Sequence, residues 1–229
     1  MNTRSVLAPL RVATVLALSA SVAQGARAQT PSTSAVSASE AAAMAKARAD
    51  SAQYPYTNAD VDFMTGMIAH HAQAIVMSRM APTHGASASI QTLAARIINA
   101  QQDEIMTTQM WLRDRNKPVP DPDAKGMQMP MNGPMGNMKP MLMPGMLTEA
   151  QMKQLDAARG KDFDRLFLSS MIRHHQGAVQ MVSDLFETNG AAQDQTVFKF
   201  ANDVNADQTT EIARMQRMLD ALDSGNHSP

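Results

Sequence analysis

A twelve-residue segment occurs twice in this chain, and it constrains the fold more than any other feature of the sequence. The first copy, GMIAHHAQAIVM, spans residues 66–77, and the second, SMIRHHQGAVQM, spans residues 170–181. Six of the twelve positions are identical at an offset of 104 residues. Apolar residues recur at helical spacing around both copies, so each copy predicts a helix that carries two adjacent histidines.

The repeat extends beyond these helices to a whole helical hairpin. Gln101-x-x-Glu104 follows the first copy, and Gln208-x-x-Glu211 follows the second at an offset of 107 residues. A single αα-hairpin cannot bury its apolar side alone, whereas two hairpins supply the four long helices of a closed bundle. The sequence therefore predicts an all-α four-helix bundle built from two repeated αα-hairpins.

Capping and breaking residues set the predicted boundaries. Thr57-x-x-Asp60 and Thr148-x-x-Gln151 have the pattern of capping boxes, which mark helix starts. Ser87 or Ser89 is predicted to cap the second helix, and Asp162 to begin the long helix of the second hairpin. The predicted parts are a signal peptide at 1–28, a flexible N-terminal segment at 29–57, a first hairpin at 58–116, a Met/Pro/Gly-rich linker at 117–147, a second hairpin at 148–223 and a tail at 224–229.

The first 28 residues have the pattern of a cleavable targeting segment. Arg4 and Arg11 supply positive charge, residues 12–23 are mainly apolar, and Ala26-Arg27-Ala28 is an A-x-A cleavage signal. The apolar run is too short for a stable membrane anchor. The sequence therefore predicts a periplasmic or secreted protein.

Charge and cysteine content exclude two further classes of partner and ligand. Removal of residues 1–28 takes away three arginines and leaves 17 basic against 21 acidic side chains, a net charge near −4. Nucleic-acid binding requires a basic face, so no nucleic-acid partner is predicted. The chain has no Cys and 21 Met, so thioethers are its sulfur ligands.

Histidine and methionine fall on one stripe of each repeated helix. Met67 lies three residues before His70 and four before His71, while Met77 follows His70 by seven residues, close to two turns. Imidazole is a borderline ligand and thioether a soft one, so the stripe favours copper, Cu(I) in particular, with Cu(II) and Ag(I) as alternatives. One such stripe per hairpin is predicted. Glu104 and Glu211, on the partner helices, are predicted to hold an imidazole N–H beside the metal.

The linker carries a second concentration of methionine. Eight Met lie among Pro, Gly and Asn in the stretch KGMQMPMNGPMGNMKPMLMPGM. Exposed methionine gains nothing by burial and is prone to oxidation, whereas several thioethers on a flexible chain can surround a soft ion. The predicted linker ligands are Met127, Met129, Met131, Met135, Met138, Met141, Met143 and Met146.

The pattern M-I-x-H-H-x-x-A-x-x-M followed by Q-x-x-E-I resembles the bacterial ferritin-like domain of unknown function 305 family, which includes periplasmic copper-binding proteins of the CopM type. The similarity covers residues 58–115 and 160–222. It implies a ferritin-like helical bundle, export, and a role in copper binding and tolerance. The metal ligands that it implies are Met67, His70, His71, Met77, Met171, His174, His175 and Met181.

The leading functional prediction is a non-enzymatic protein that sequesters Cu(I) or delivers it to an efflux or chaperone protein. A di-iron carboxylate enzyme is excluded, because that chemistry uses Glu-x-x-His motifs and none of the five Glu is followed by His three residues later. No residue arrangement indicates a catalytic triad. The alternative is a helical interaction module in which the histidines are core residues and the Met-rich linker docks a partner protein.

Overall fold

Five α-helices make up the regular structure of the described part of the chain. The computed structural model of the protein describes residues 55–122 and 142–224, together with Ala42. The helices are α1 (Asn58–Met80), α2 (Ala88–Asp114), α3 (Glu149–Ala157), α4 (Gly160–Glu187) and α5 (Gln195–Ser224). No strand occurs among these residues, which confirms the predicted all-α class. None of these helices is long and apolar enough to cross a membrane.

Several predicted segments lie outside the described residues. They are the signal peptide, the N-terminal segment apart from Ala42 and residues 55–57, the linker between residues 123 and 141, and the tail from residue 225 onward. The six linker methionines Met127, Met129, Met131, Met135, Met138 and Met141 belong to this group. Met143 and Met146, at the end of the linker, are described.

Local sequence signals account for where the helices begin. Both predicted capping boxes are present, at Thr57 for α1 and at Thr148 for α3. Ser87 occupies the N-cap position of α2, but its hydroxyl caps no backbone N–H; instead its own N–H donates to the carboxylate of Asp164, 3.2 Å from both oxygens. Helix α4 begins at Gly160 rather than at the predicted Asp162, which lies in the first turn, where the helix dipole also favours a carboxylate.

The capping box of α3 gives a local test of this fold. Thr148→Ala removes the hydroxyl that accepts from the Gln151 N–H, so we expect unfolding to become easier by about 1 kcal/mol. Thr92→Ala is the matched control, because the Thr92 hydroxyl only bonds the carbonyl of Ala88 within its own helix. Urea unfolding of the two variants should differ by that amount, and equal midpoints would contradict a stabilising cap.

Helices α1 and α4 lie at the centre of the fold. Helix α1 packs on α2, α4 packs on α5, and α1 also packs against α4. Two buried apolar clusters fill the interior, one containing Phe63, Trp111 and Phe200, the other containing Phe163 and Phe167. Along both central helices the histidine pairs stand between residues of one cluster and residues of the other. The packing of the hairpins therefore buries the histidines.

Two buried carboxylates tie the hairpins together away from the histidines. Asp60, which also completes the cap of α1, accepts a 2.7 Å hydrogen bond from the backbone N–H of Ala192. Asp194 accepts from the indole N–H of Trp111 at 3.1 Å and from backbone N–H groups at the start of α5. Because these hydrogen bonds are short and buried, they fix the register of one hairpin against the other.

Candidate metal centre

The four repeated histidines are completely buried, and one from each hairpin meets the other across the α1–α4 contact. His70, His71, His174 and His175 are all 0% exposed. The ring centroids of His70 and His174 are 3.9 Å apart, whereas those of adjacent His70 and His71 are 6.3 Å apart. Neighbouring helical residues point about 100° apart, so only one histidine of each pair faces the other hairpin. The stripe predicted for each hairpin therefore meets the other stripe at the α1–α4 contact, and we call the two together the joined stripes.

Burial keeps this central pair uncharged. Loss of solvation, followed by the nearby His71, lowers the pKa of His70 to about 3, although its hydrogen bond to Pro144 acts in the opposite direction. Burial and then the His70 ring lower the pKa of His174 well below its usual value of 6.5. Both imidazoles are consequently neutral at neutral pH, the state in which a ring nitrogen can bind a metal.

The hydrogen bonds of the central pair leave ring nitrogens without partners. His70 Nε2 lies 3.0 Å from the carbonyl oxygen of Pro144. A carbonyl only accepts, so Nε2 carries the proton and Nδ1 carries the lone pair. That Nδ1 has no hydrogen-bond partner, and neither ring nitrogen of His174 has one. Each unpartnered buried group costs about 1–3 kcal/mol, and lone pairs of this kind are what a copper ion binds.

The second histidine of each pair contacts a glutamate within its own hairpin. His175 Nε2 donates a 2.7 Å hydrogen bond to Glu211 Oε2. His71 Nε2 lies 3.0 Å from Glu104 Oε2, close enough for an ion pair but not aligned as a hydrogen bond. The Nδ1 atoms of both rings are buried and unpartnered. A carboxylate behind an imidazole is the usual support of a metal-binding histidine, and that role stays a prediction here.

Each of the two apolar clusters contains a methionine from both repeats. Met67 of the first repeat and Met181 of the second belong to the same apolar cluster. Met77 and Met171 belong to the other cluster. The two methionines of one repeat therefore belong to different clusters, and each shares its cluster with a methionine of the other repeat. Arg173, which precedes His174 in sequence, is exposed.

The last residues of the predicted linker lie against the buried histidines. We call residues 143–147 the strap. The Pro144 carbonyl accepts a hydrogen bond from His70 Nε2. The Gln73 side chain accepts from the Leu147 N–H at 2.7 Å and donates to the Leu147 carbonyl at 2.9 Å. A Cβ atom placed on Gly66 would lie 3.2 Å from Met143 Sδ and 3.2 Å from Met181 Cε. Met146 is buried.

Sequence reasoning missed the residues that hold the strap. Gln73, Pro144 and Gly177 were not among the candidates. The sequence did contain one indication of these residues: Gln73 and Gly177 occupy the same position of the two repeats but are different residues. Their partner segment lies in the linker, so no pattern within either hairpin pointed to it.

The donor set available at the centre consists of imidazoles and thioethers. In residues 55–122 and 142–224, no three His, Asp or Glu side chains are grouped as they would be around a metal ion. A hard cation such as Mg²⁺ or Ca²⁺ requires several oxygen ligands. Neutral imidazoles with adjacent thioethers instead fit a soft or borderline ion such as copper or silver.

A negatively charged groove lies beside the Glu104–His71 contact. It runs between α2 and α5 and is lined by Asp103, Glu104, Asp203 and Asp207 among others. Partial burial, followed by Glu104, Asp203 and Glu211, raises the pKa of Asp207. Such a groove increases the local concentration of cations, although Lys199 pairs with Asp203 at its edge.

Comparisons with known proteins agree with this fold. A family model described as "Domain of unknown function (DUF305)" matches residues 60–219. A solved DUF305 fragment from Deinococcus radiodurans is 25% identical, with a TM-score of 0.59, over 73% of this chain and 99% of that chain. A DUF305 protein from Streptomyces coelicolor, described as a candidate secreted protein, is 27% identical with a TM-score of 0.58, over 72% of this chain and 93% of that chain.

Further similar structures belong to a protein named CopM. Its Cu(I)-bound form is 27% identical to the chain, with a TM-score of 0.52, over 71% of this chain and 96% of that chain. CopM has also been solved with Cu(II) and with Ag bound. No functionally curated protein sequence matches the chain.

Proposed function

The chain belongs to the DUF305 family, and from this premise we propose that it is an exported, non-catalytic copper-binding protein. It binds Cu(I) through the joined histidine and methionine stripes of α1 and α4, and Cu(II) or Ag(I) as alternative ions. By lowering the free metal concentration or by handing copper to an efflux or chaperone protein, it contributes to copper homeostasis or tolerance.

The observation that carries this proposal is the state of His174. Its ring is 0% exposed, and the His70 ring lies 3.9 Å away. Neither of its nitrogens makes a hydrogen bond of good geometry, although the nearby backbone of His70 acts to raise its pKa. A histidine that serves only the core has its nitrogens bonded, as those of His84 are by Thr83 and Asp156. The central pair pays a desolvation cost that a bound metal ion would offset, which favours metal binding over the core-histidine alternative.

Relatives and charge support the same proposal. CopM, at 27–29% identity, binds Cu(I), Cu(II) and Ag, and the Streptomyces relative is described as a candidate secreted protein. The signal peptide predicted at residues 1–28 is consistent with export. The acidic groove beside Glu104 gives cations a favoured approach to the buried histidines.

Anaerobic titration with Cu(I) against a competing chelator tests the proposal. The mature chain, residues 29–229, is compared with His70→Gln/His174→Gln, with a variant lacking residues 125–141, and with the control His84→Gln. We expect the mature chain to take copper from the chelator, the double variant to lose at least about a hundredfold in affinity, and the control to retain it.

Two results would contradict the proposal in different ways. Binding that survives the double variant and disappears with residues 125–141 would make the histidines structural and move the function to the linker. Failure of every form to compete for copper would reject copper binding altogether. Retention of the main site after the linker deletion is the expected result, because the strap stays in that variant.

A further inference from the structure

The strap fits against α4 because two glycines allow the backbones to touch. A Cβ atom on Gly177 would lie 1.9 Å from the Pro144 carbonyl oxygen, far inside contact distance. A Cβ atom on Gly145 would lie 2.4 Å from the Arg173 carbonyl oxygen, and Gly145 has φ +76°, a conformation that other residues rarely adopt. Glycine in the middle of a helix costs about 1 kcal/mol relative to alanine, so Gly177 weakens α4 while seating the strap.

The two repeats differ in sequence at the positions that contact the strap. Gly66 corresponds to Ser170, and Gln73 corresponds to Gly177 at the offset of 104 residues. Gly66 makes room for Met143, Gln73 holds both backbone groups of Leu147, and Gly177 admits Pro144. The strap contacts the joined stripes from one side only. The residues that contact it therefore differ between the two repeats, whereas the histidines are the same in both.

The strap supplies two things that the helices lack. Its Pro144 carbonyl accepts from His70 Nε2 and thereby leaves the lone pair on Nδ1. Its Met143 side chain reaches the same point on α1 as Met181, at Gly66, one helical turn before His70. The sulfur of Met143 and the methyl group of Met181 thus lie at one point on α1, one helical turn before His70.

We propose that Met143 and Met181, together with His70, form a composite site for a soft monovalent cation, and that docking of the strap on Gly177 assembles it. This inference rests on the proposed copper-binding function and names the place where the ion is held. A thioether on a docked strap loses less conformational freedom on binding than one on a flexible chain, so this site binds the first ion more tightly than the remaining linker methionines do.

Titration with Ag(I), a redox-inert ion of the same soft class, tests the composite site. The mature chain is labelled at the methionine methyl groups, and their NMR resonances are followed as silver is added. We expect the Met143 and Met181 methyl signals to shift together within the first equivalent. Met218, partly buried on α5, serves as an internal reference that does not move.

Two variants test separately the Met143 sulfur as a ligand and the docking of the strap on Gly177. Met143→Leu keeps the size and apolar character of the side chain but removes the sulfur, and its control is Met218→Leu. Gly177→Ala raises the helix propensity of α4 but forces the strap away from it. Both variants should weaken the first Ag(I) site at least about tenfold, and the control should not.

A measurement on the metal-free protein tests the docking separately. Gly177→Ala should increase hydrogen exchange of the Leu147 amide, which donates to the buried Gln73 side chain, while Met143→Leu should leave it protected. If Met181 shifts in the first equivalent and Met143 does not, or if Gly177→Ala binds silver like the parent, the composite site is rejected and the proposed function stands. If no methyl or histidine signal responds to silver, both fail.

Discussion

Replacing His174 by leucine is expected to raise the stability of the metal-free protein and to weaken its copper binding at the joined stripes. The His174 ring is fully buried without a partner for either nitrogen. Leucine has a similar volume and no polar atom to desolvate, so the free energy of unfolding should increase by about 1–3 kcal/mol. Loss of a ligand should weaken Cu(I) binding at least about a hundredfold. Mutation of a residue that only hydrogen-bonds a metal ligand already lowers metal affinity about 10–100-fold.

His84→Leu is the matched control for this prediction. His84 is also buried, at 6% exposed, but its ring nitrogens lie 2.9 Å from the Thr83 hydroxyl and 2.9 Å from the Asp156 carbonyl. Leucine at that position should lower stability and leave copper affinity unchanged. Urea unfolding without metal and chelator competition with metal measure the two effects. A His174→Leu protein that is less stable than the parent would favour histidines that serve only the core.

Acid is expected to destabilise the metal-free protein through the same histidine pair. In the unfolded chain both histidines take up a proton near pH 6.5. In the folded protein the pKa of His70 is lowered to about 3 and that of His174 well below 6.5. Below pH 6.5 the unfolded state binds more protons than the folded state, so stability falls as the pH falls. For each histidine the slope approaches, as an upper limit, about 1.4 kcal/mol per pH unit.

For His70 the expected loss between pH 6.5 and pH 5 is about 2 kcal/mol, and His174 contributes in the same direction. Above about pH 7.5 the pair should contribute almost no slope, because both states are then nearly uncharged at these positions. Urea midpoints of the metal-free protein at several pH values measure the effect, and His70→Leu/His174→Leu is the control. A variant that keeps the slope of the parent would show that other groups cause the acid sensitivity.

Much of the local structure could be predicted because its causes lie within a few residues of chain. The capping boxes at Thr57 and Thr148 join residues three apart, and both were found where the pattern placed them. The start of α4 was misplaced by two residues because Asp162 favours a first turn as well as a cap. The Ser87 hydroxyl does not cap α2 as predicted. The backbone N–H of Ser87 instead donates to Asp164, a residue 77 positions away that no local pattern could indicate.

The sequence indicated which side chains share one face of each repeated helix, but not how the two faces are arranged. The sequence indicated that Met67, His70 and Met77 share a stripe, since periodicity fixes the direction of a side chain relative to its own helix. It did not indicate that this stripe would meet the second one, because periodicity does not specify which helix faces it. Met67 consequently shares a cluster with Met181 rather than with Met77.

The sequence by itself determined an all-α chain with two copies of one hairpin, each carrying a pair of histidines, methionines and a glutamate on the second helix. These properties depend on spacing within a hairpin. Only the tertiary structure decided that His70 meets His174, that both lose their solvation, and that the linker residues Pro144 and Met143 reach His70 and Gly66 respectively. Those contacts join residues 74 or more positions apart, and they exist because packing two hairpins buries α1 against α4 and leaves a glycine-lined path for the strap.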